Sequence, residues 1–375
     1  MISVQVWDPT ETTRYPSIES EIEELTFGRM MTIGYAGCSF KLKRNPRRYH
    51  NDIKPTNRVI IRCSRKVAWK GDIVVSSSTV QDSIETPIEC DGLGYRLATR
   101  ATEAPLSSGK LSTWITAALI GDTDLAYTAG GIDTYDYSFP YGIDLSPVSY
   151  FAEVCDKGNK ANNFRYGVDD TGFYFKPFAT TAEYLIRAED AKYNLDYNIE
   201  DIENCLYVTY TPDGSTYFSF WWPNSSPAFV QGSPGTAVPD AVSKGLYRRR
   251  DGVLPIDGKS DLAQAKVMAQ IALDERRRMR PKTSFVVTRV TDAVTGQVVP
   301  LPLVEDGKII HIQDIYAGRL SSTEAQIINE LSTFKNAECS YEVATGLLTV
   351  SPGTMGLMME KIMARIEASQ IPEAA

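Results

Sequence analysis

Residues 57–73 read Asn57-Arg-Val-Ile-Ile-Arg-Cys-Ser-Arg-Lys-Val-Ala-Trp-Lys-Gly-Asp-Ile73, and they decide the fold class. Arg58-Val-Ile-Ile-Arg62 is a short β-branched run, and Lys66-Val-Ala-Trp69 follows closely after Ser64-Arg65. β-Branched and aromatic side chains pack well on a pleated, half-buried surface, so the pair predicts a hairpin turning at Ser64-Arg65. Met30–Gly34, Val67–Ser76 and Ser83–Cys90 read as further strands, separated by Gly, Pro, Asn or charged turns. Pro87 lacks a ladder N–H, which places Ser83–Cys90 at a sheet edge. Pro46 and Pro55 keep the basic stretch 41–55 out of helix and off central strands. The N-terminal block thus predicts a small β-barrel or sandwich.

Working outward, the middle of the chain mixes elements. Ser112–Leu119 and Pro147–Val154 read as helices, the second with proline in its first turn. Two hairpins follow. Phe164-Arg-Tyr166 and Gly172-Phe-Tyr-Phe175 flank Gly167–Thr171, and Leu206–Tyr210 and Thr216–Phe220 flank Pro212-Asp-Gly-Ser215. Asp-Gly between alternating aromatic residues is a strong hairpin signal. Ser260–Met279 is the most helical segment, with Ser260 as N-cap and Leu262, Ala265, Met268, Ala269 and Ala272 on one stripe. Strands are predicted at Ser284–Val290 and Lys308–Ile312, a hairpin at Cys339–Val343 and Gly346–Ser351, and a last helix at Met355–Ala368.

Charge divides the 375 residues further. The sum of −8 conceals a segregation: residues 41–70 hold eleven Lys/Arg against Asp52, or +10. Residues 101–240 carry seven basic and nineteen acidic side chains, or −12, with 13 of the 20 tyrosines. Residues 241–290 return to +7, from twelve basic and five acidic side chains. Such blocks predict boundaries near 100–105 and 235–245, the second beside the turn-rich stretch Pro223–Gly235. The expected fold class is mainly β with some helices (α+β). Two small β-barrel-like domains, residues 1–104 and 241–375, flank an acidic, tyrosine-rich α+β domain at residues 105–240.

Composition excludes several function classes. A chain with pI near 5.1 is not a protein that is basic overall and coats nucleic acid. No apolar run approaches the roughly 18 residues of a membrane helix, and the N-terminus lacks the pattern of a Sec signal. No membrane anchoring is expected. Six scattered cysteines without a CxxC pair argue against a disulfide framework or zinc knuckle. They predict buried, reduced thiols. The two histidines, His50 and His311, are read as a loop residue and a strand residue.

The signatures of chemistry are missing. Asp91-Gly-Leu-Gly94 lacks the further glycine and helix of a phosphate loop and reads as a turn. Asp122, Asp124, Asp133 and Asp136 lack the ordered spacing of a calcium loop. Asp169-Asp170, adjacent on a turn, diverge too much for a glycosidase pair. Neither GxSxG nor HExxH occurs. No catalytic, cofactor-binding or metal-ligating residue is assigned, no cofactor is expected, and no enzyme is predicted. The assigned contact residues are Lys41, Lys43, Arg44, Arg47 and Arg48 in one stretch and Arg276, Arg277, Arg278 and Arg280 in another. They could meet a neighbouring subunit's acidic block, track a phosphate backbone, or form a solvated surface.

Taken as an ordered set, these segments resemble the tail hub or baseplate hub proteins of tailed phages. Asn57–Arg62 leading to Val67–Ile73 resembles their first-domain hairpin, with its W-x-G-x-I strand. Phe164–Pro177, Asn204–Tyr210 before Asp213-Gly214, Ala263–Leu273 and Tyr341–Pro352 resemble later elements, so the likeness spans roughly residues 30–352. The resemblance implies a homotrimer in which each chain supplies two related β-barrel domains to a pseudo-sixfold ring. One face of that ring continues a hexameric tail tube, or a distal tail protein, and the other carries the tip or spike. Genomic DNA passes through it transiently. The implied location is the virion, assembled in the host cytoplasm. Some members carry a C-terminal lysin domain, which is not expected here. Two alternatives stay open: a host-surface or carbohydrate-binding tail protein, motivated by the tyrosines, and a cell-wall hydrolase.

Overall fold

The computed structural model describes residues 2–43, 53–76, 86–96, 109–110, 136–137, 164–193, 199–224, 234–259, 261–315 and 321–353. The chain opens with β1 (Ile2–Trp7), α1 (Pro16–Glu19), β2 (Ile22–Met30), β3 (Gly34–Leu42), β4 (Arg58–Cys63), β5 (Lys66–Ser76) and β6 (Thr86–Gly92). These six strands lie antiparallel in the order β1-β4-β5-β6-β3-β2. Ser64 takes φ 58° in the predicted turn between β4 and β5. Alternate side chains of all six strands, among them Val6, Phe27, Phe40, Val59, Ile61 and Ile88, meet in one core around Trp69. Its indole N–H donates to the Ala36 carbonyl at 3.0 Å, so a fully buried polar group is satisfied. A Cβ on Gly71 would lie 2.4 Å from the Trp69 ring, which is why the W-x-G pattern needs glycine two residues on.

Two readings of this half are corrected. Met30–Gly34 is not one strand: Met30 ends β2, Gly34 opens β3, and Met31–Ile33 is the turn between them. Met31, Thr32 and Ile33 are apolar or buried there because a later hairpin covers the turn, Val168 N–H donating to the Ile33 carbonyl at 3.0 Å. The Pro87 strand, β6, is interior, between β3 and β5. Pro87 stands opposite Lys41 of β3, and the described β5 pairing runs from Gly71 opposite Gly92 to Ser76 opposite Ile88.

Next come β7 (Gly109–Lys110) and β8 (Asp136–Tyr137), which pair together. Then follow β9 (Phe164–Asp169), β10 (Gly172–Pro177), β11 (Tyr184–Arg187), β12 (Ala191–Lys192), β13 (Cys205–Thr211) and β14 (Phe218–Trp222). The remaining elements are α2 (Ala241–Tyr247), β15 (Asp251–Lys259), α3 (Leu262–Arg276), β16 (Phe285–Val287), β17 (Val290–Asp292), β18 (Val298–Val299), β19 (Ile309–Gln313), α4 (Ser322–Ser332), β20 (Thr333–Glu342) and β21 (Leu347–Pro352). Both aromatic hairpins form, β9 with β10 and β13 with β14. The first turn is shorter than read, since β9 runs on to Asp169, and β14 begins at Phe218 rather than Thr216, because Asp213 gathers the Ser215 and Thr216 N–H groups into the loop. The expected strand Ser284–Val290 is two strands, because the chain changes partners at Thr288, whose N–H donates to the Asp190 carbonyl at 2.9 Å. β16 pairs with β12 and β21, whereas β17 pairs with β11 and β18. α3 begins at Leu262 and stops at Arg276, three residues before the expected end, and Ser260 lies outside the described residues. The expected helices 112–119, 147–154 and 355–368 also lie outside them.

Among the described residues, sixteen strands share one sheet. Its halves meet where β2 pairs antiparallel with β20, from Thr26 opposite Glu342 to Met30 opposite Glu338. A second core, built on Phe285, Val287, Ile310, Ile312, Phe334 and Val350, lies under the C-terminal half, and Tyr341 packs against both cores. β14, β13 and β15 form a separate three-stranded sheet covered by Ala265, Ala269 and Leu273 of α3. The molecule is mainly β with helices. β13 and β14 share a sheet with β15 across residue 240, and β11 pairs with β17 and β19.

Candidate functional site

The two basic stretches meet different fates. Lys41, on β3, and Lys43, just beyond it, reach across to β2, with Lys41 Nζ 2.7 Å from Glu24 and Lys43 Nζ 2.6 Å from Glu23. The basic stretch thus begins on an interior strand rather than off it, Lys41 standing opposite Glu23 of β2 and Pro87 of β6. Both charges are therefore partly neutralised within the chain. Arg44, Arg47 and Arg48 lie outside the described residues. In the second stretch, Arg276 pairs with Glu203 at 2.7 Å and Arg277 with Asp240 and Asp274, each at 2.7 Å. Asp240 is also the N-cap of α2, accepting from Ser243 N–H at 2.9 Å. Burial pushes the Asp240 carboxyl up, but the Ser243 N–H and the Arg277 guanidinium outweigh it and hold it below the ordinary 3.8.

Arg278 and Arg280 behave otherwise. Past the end of α3 the chain is irregular, and both residues line a cavity of about 570 Å³ between this segment, α4, β20 and the end of β21. Met279, Pro281, Ile309, Phe334 and Pro352 supply its apolar lining; Lys282 and Lys335 add positive charge. Lys335 Nζ sits 4.1 Å from the centre of the Phe178 ring, and Lys282 pairs with Asp201. Burial, with the charge of Arg278 alongside, lowers the pKa of Arg280, whose Nη2 donates to the Asp274 carbonyl at 3.1 Å. Glu330 holds the cavity together from α4, accepting from the Tyr247 hydroxyl at 2.6 Å and from Met279 N–H at 3.3 Å. An apolar floor with a basic rim suits a segment that presents apolar side chains flanked by acids.

Elsewhere the chemistry is sparse. Among the described residues no three His, Cys, Asp or Glu side chains are placed to hold a metal ion. Cys38, Cys63, Cys90, Cys205 and Cys339 are buried free thiols, and burial pushes Cys339 up to about 12. His311 lies on β19 with Nδ1 2.8 Å from the Thr333 hydroxyl, and burial lowers its pKa; His50 lies outside the described residues. Asp91–Gly94 closes β6 and turns tightly, because a Cβ on Gly94 would lie 1.8 Å from the Ile33 carbonyl oxygen. In the acidic block Tyr166, Tyr174, Tyr184 and Tyr210 are buried, while Tyr217 is exposed. The sequence reading missed a polar cluster at the seam, Arg29, Arg165 and Asp306, whose members lie far apart along the chain. No local spacing signals it.

No family model and no curated protein matches the sequence. Solved structures do match, almost end to end. The tail protein from Neisseria meningitidis MC58 superposes with a TM-score of 0.57 at 9% identity, over 96% of this chain and 98% of that one. Prophage tail protein gp18 from Listeria monocytogenes EGD-e gives 0.56 at 10% identity, over 98% of each chain. The 43 kDa tail protein of prophage MuSo2 from Shewanella oneidensis gives 0.57 at 10% identity, over 95% of this chain and 99% of that one. The chain has the fold of these phage tail proteins.

Proposed function

We propose that this chain is a structural, non-enzymatic component of a phage tail: a hub that joins the tail tube to the tip or spike and lines the passage for DNA. The observation that carries the reading is the match in fold to three tail proteins along nearly the whole length of both chains. The continuous sheet through β2 and β20 favours it too, since a ring element needs two β units held rigidly in one chain. On this reading three copies form the ring, assembled in the host cytoplasm and retained in the virion. Pairing favours a division into an N-terminal β unit, a C-terminal β unit that takes in β11 and β12, and an α/β unit around β13–β15.

The rim residues Arg278 and Arg280 meet an acidic neighbour, and interfaces of such obligate rings exceed about 2,000 Å². Sedimentation equilibrium of the full chain tests this. A species of three times the chain mass, with rings in electron micrographs when tube protein is added, is expected. A monomer at every concentration, with no ring, overturns it. Tyr166, Tyr174, Tyr184 and Tyr210 are core residues, which weighs against their stacking on sugars, whereas Tyr217 is exposed.

A further inference from the structure

A second cavity, of about 300 Å³, lies at the seam, lined by Arg29, Arg165, Asp169, Tyr174, Lys176, Glu305, Asp306 and Lys308. Unlike the first it is almost wholly polar, and its charged lining is built into the fold. Arg29 comes from β2 and is 7% exposed. Its guanidinium lies 4.9 Å from the centre of the Tyr35 ring, and Nε is 3.3 Å from Asp306 Oδ1 without a well-aligned hydrogen bond. Asp306, also buried, accepts from the Tyr174 hydroxyl at 2.9 Å. Arg165 Nη1 donates to the Asp306 carbonyl at 2.7 Å, and its stem passes Gly307 where a Cβ would lie 2.7 Å away. The 305–308 turn is itself fixed to β20, with Gly307 N–H on the Asn336 carbonyl at 2.7 Å and Asn336 Nδ2 on the Glu305 carbonyl at 3.0 Å.

An independent observation concerns register. Arg165 of β9 stands directly opposite Lys176 of β10, and both line the cavity. Like charges directly opposed on one face of a ladder destabilise it. Both approach the Tyr174 ring, at 5.6 Å and 5.7 Å from its centre, and neither pairs with a carboxylate within 4.0 Å among the described residues. The acids nearby are otherwise engaged: Asp306 by Arg29 and Tyr174, Asp169 by Thr171, and Glu305 by Lys308, which also holds Glu183. Two buried or half-buried guanidiniums and an ammonium thus converge on a polar space with donors to spare. A guanidinium offers a planar fork of donors that fits the oxygens of one anion.

We propose that this cavity binds an oxyanion, a phosphate or a carboxylate, between Arg29, Arg165 and Lys176. The anion relieves the Arg165–Lys176 opposition and ties β2, the β9–β10 hairpin and the 305–308 turn to one another. It needs no particular tail partner and stands apart from the hub reading. Isothermal titration of the full chain, with sodium phosphate in one arm and sodium glutarate in the other, against chloride at equal ionic strength, tests it. Saturable binding in at least one arm is expected, and the arm that saturates identifies the source. Lys176→Gln weakens it on the order of tenfold, the loss of one charge-assisted contact, and Arg165→Gln weakens it at least as much. Arg278→Gln, in the other cavity, leaves it unchanged. Absence of saturation in both arms, or equal affinity in Lys176→Gln, overturns the proposal. Lys176 is on the rim, so its variant keeps the test decisive if Arg165→Gln does not fold.

Discussion

At the scale of single residues, backbone geometry and buried charge set the sharpest constraints. Gly34 has φ 75°, and a Cβ there would lie 2.1 Å from the Val168 carbonyl oxygen, so alanine is opposed by both conformation and space. Gly34→Ala is expected to destabilise by well over about 1 kcal/mol in urea denaturation. Gly245→Ala, in α2 with nothing within 4 Å of its Cβ, should instead stabilise by about 0.5–1 kcal/mol. A loss at Gly245 equal to that at Gly34 would show the steric argument to be wrong. Asp306→Asn leaves Arg29 buried without its counter-charge, at a cost of about 3–5 kcal/mol by the same measurement.

At the scale of elements, helix ends explain what strand patterns do not. α4 was not anticipated, although Ser321 and Glu324 form a complete capping box: Glu324 N–H donates to the Ser321 hydroxyl at 3.3 Å, and Ser321 N–H donates to Glu324 Oε2 at 2.8 Å. Ser321-Ser-Thr-Glu324 was legible in the sequence, and Ile327, Ile328 and Leu331 follow it at helical spacing, so this helix lay within reach of a local reading. Ser321→Ala is expected to lower stability by about 1 kcal/mol, read by thermal unfolding. Asp240 caps α2 and pairs with Arg277, and its carboxyl is held below 3.8 in the folded state. A depressed folded pKa contributes stability above the unfolded value, and that contribution is lost as pH falls through the folded one. Asparagine caps as well as aspartate but carries no charge. The stability gap between wild type and Asp240→Asn should therefore be present at neutral pH and close below about pH 4. A gap that persists at low pH would assign the effect to something other than the Asp240 charge.

At the scale of the whole molecule, the β2–β20 pairing makes two cores mechanically one, since Tyr341 packs into both. Hydrogen exchange read by mass spectrometry should find β2 and β20 sharing one slow rate, as parts of a single cooperative unit. Much faster exchange in β2 would mean that the halves open separately. Most strands and both aromatic hairpins were legible because β-branched alternation and Asp-Gly turns act within ten or so residues. That range is also why the sequence misread Met30–Gly34, where a covering hairpin buries an apolar turn, and Pro87, whose strand lies between two others brought together by the fold. Likewise Arg276 and Arg277 looked equivalent to Arg278 and Arg280, yet folding places acids beside the first two and a cavity beside the others. By itself the sequence determined the strand-rich class, the hairpin turns and the segregated charge, which depend on neighbours along the chain. Which strands pair across blocks, which cations stay available, and how Arg29, Arg165 and Asp306 converge on one cavity were decided only in the tertiary structure. The cavity contacts join residues more than a hundred positions apart, and the others join different elements, so no local pattern encodes them.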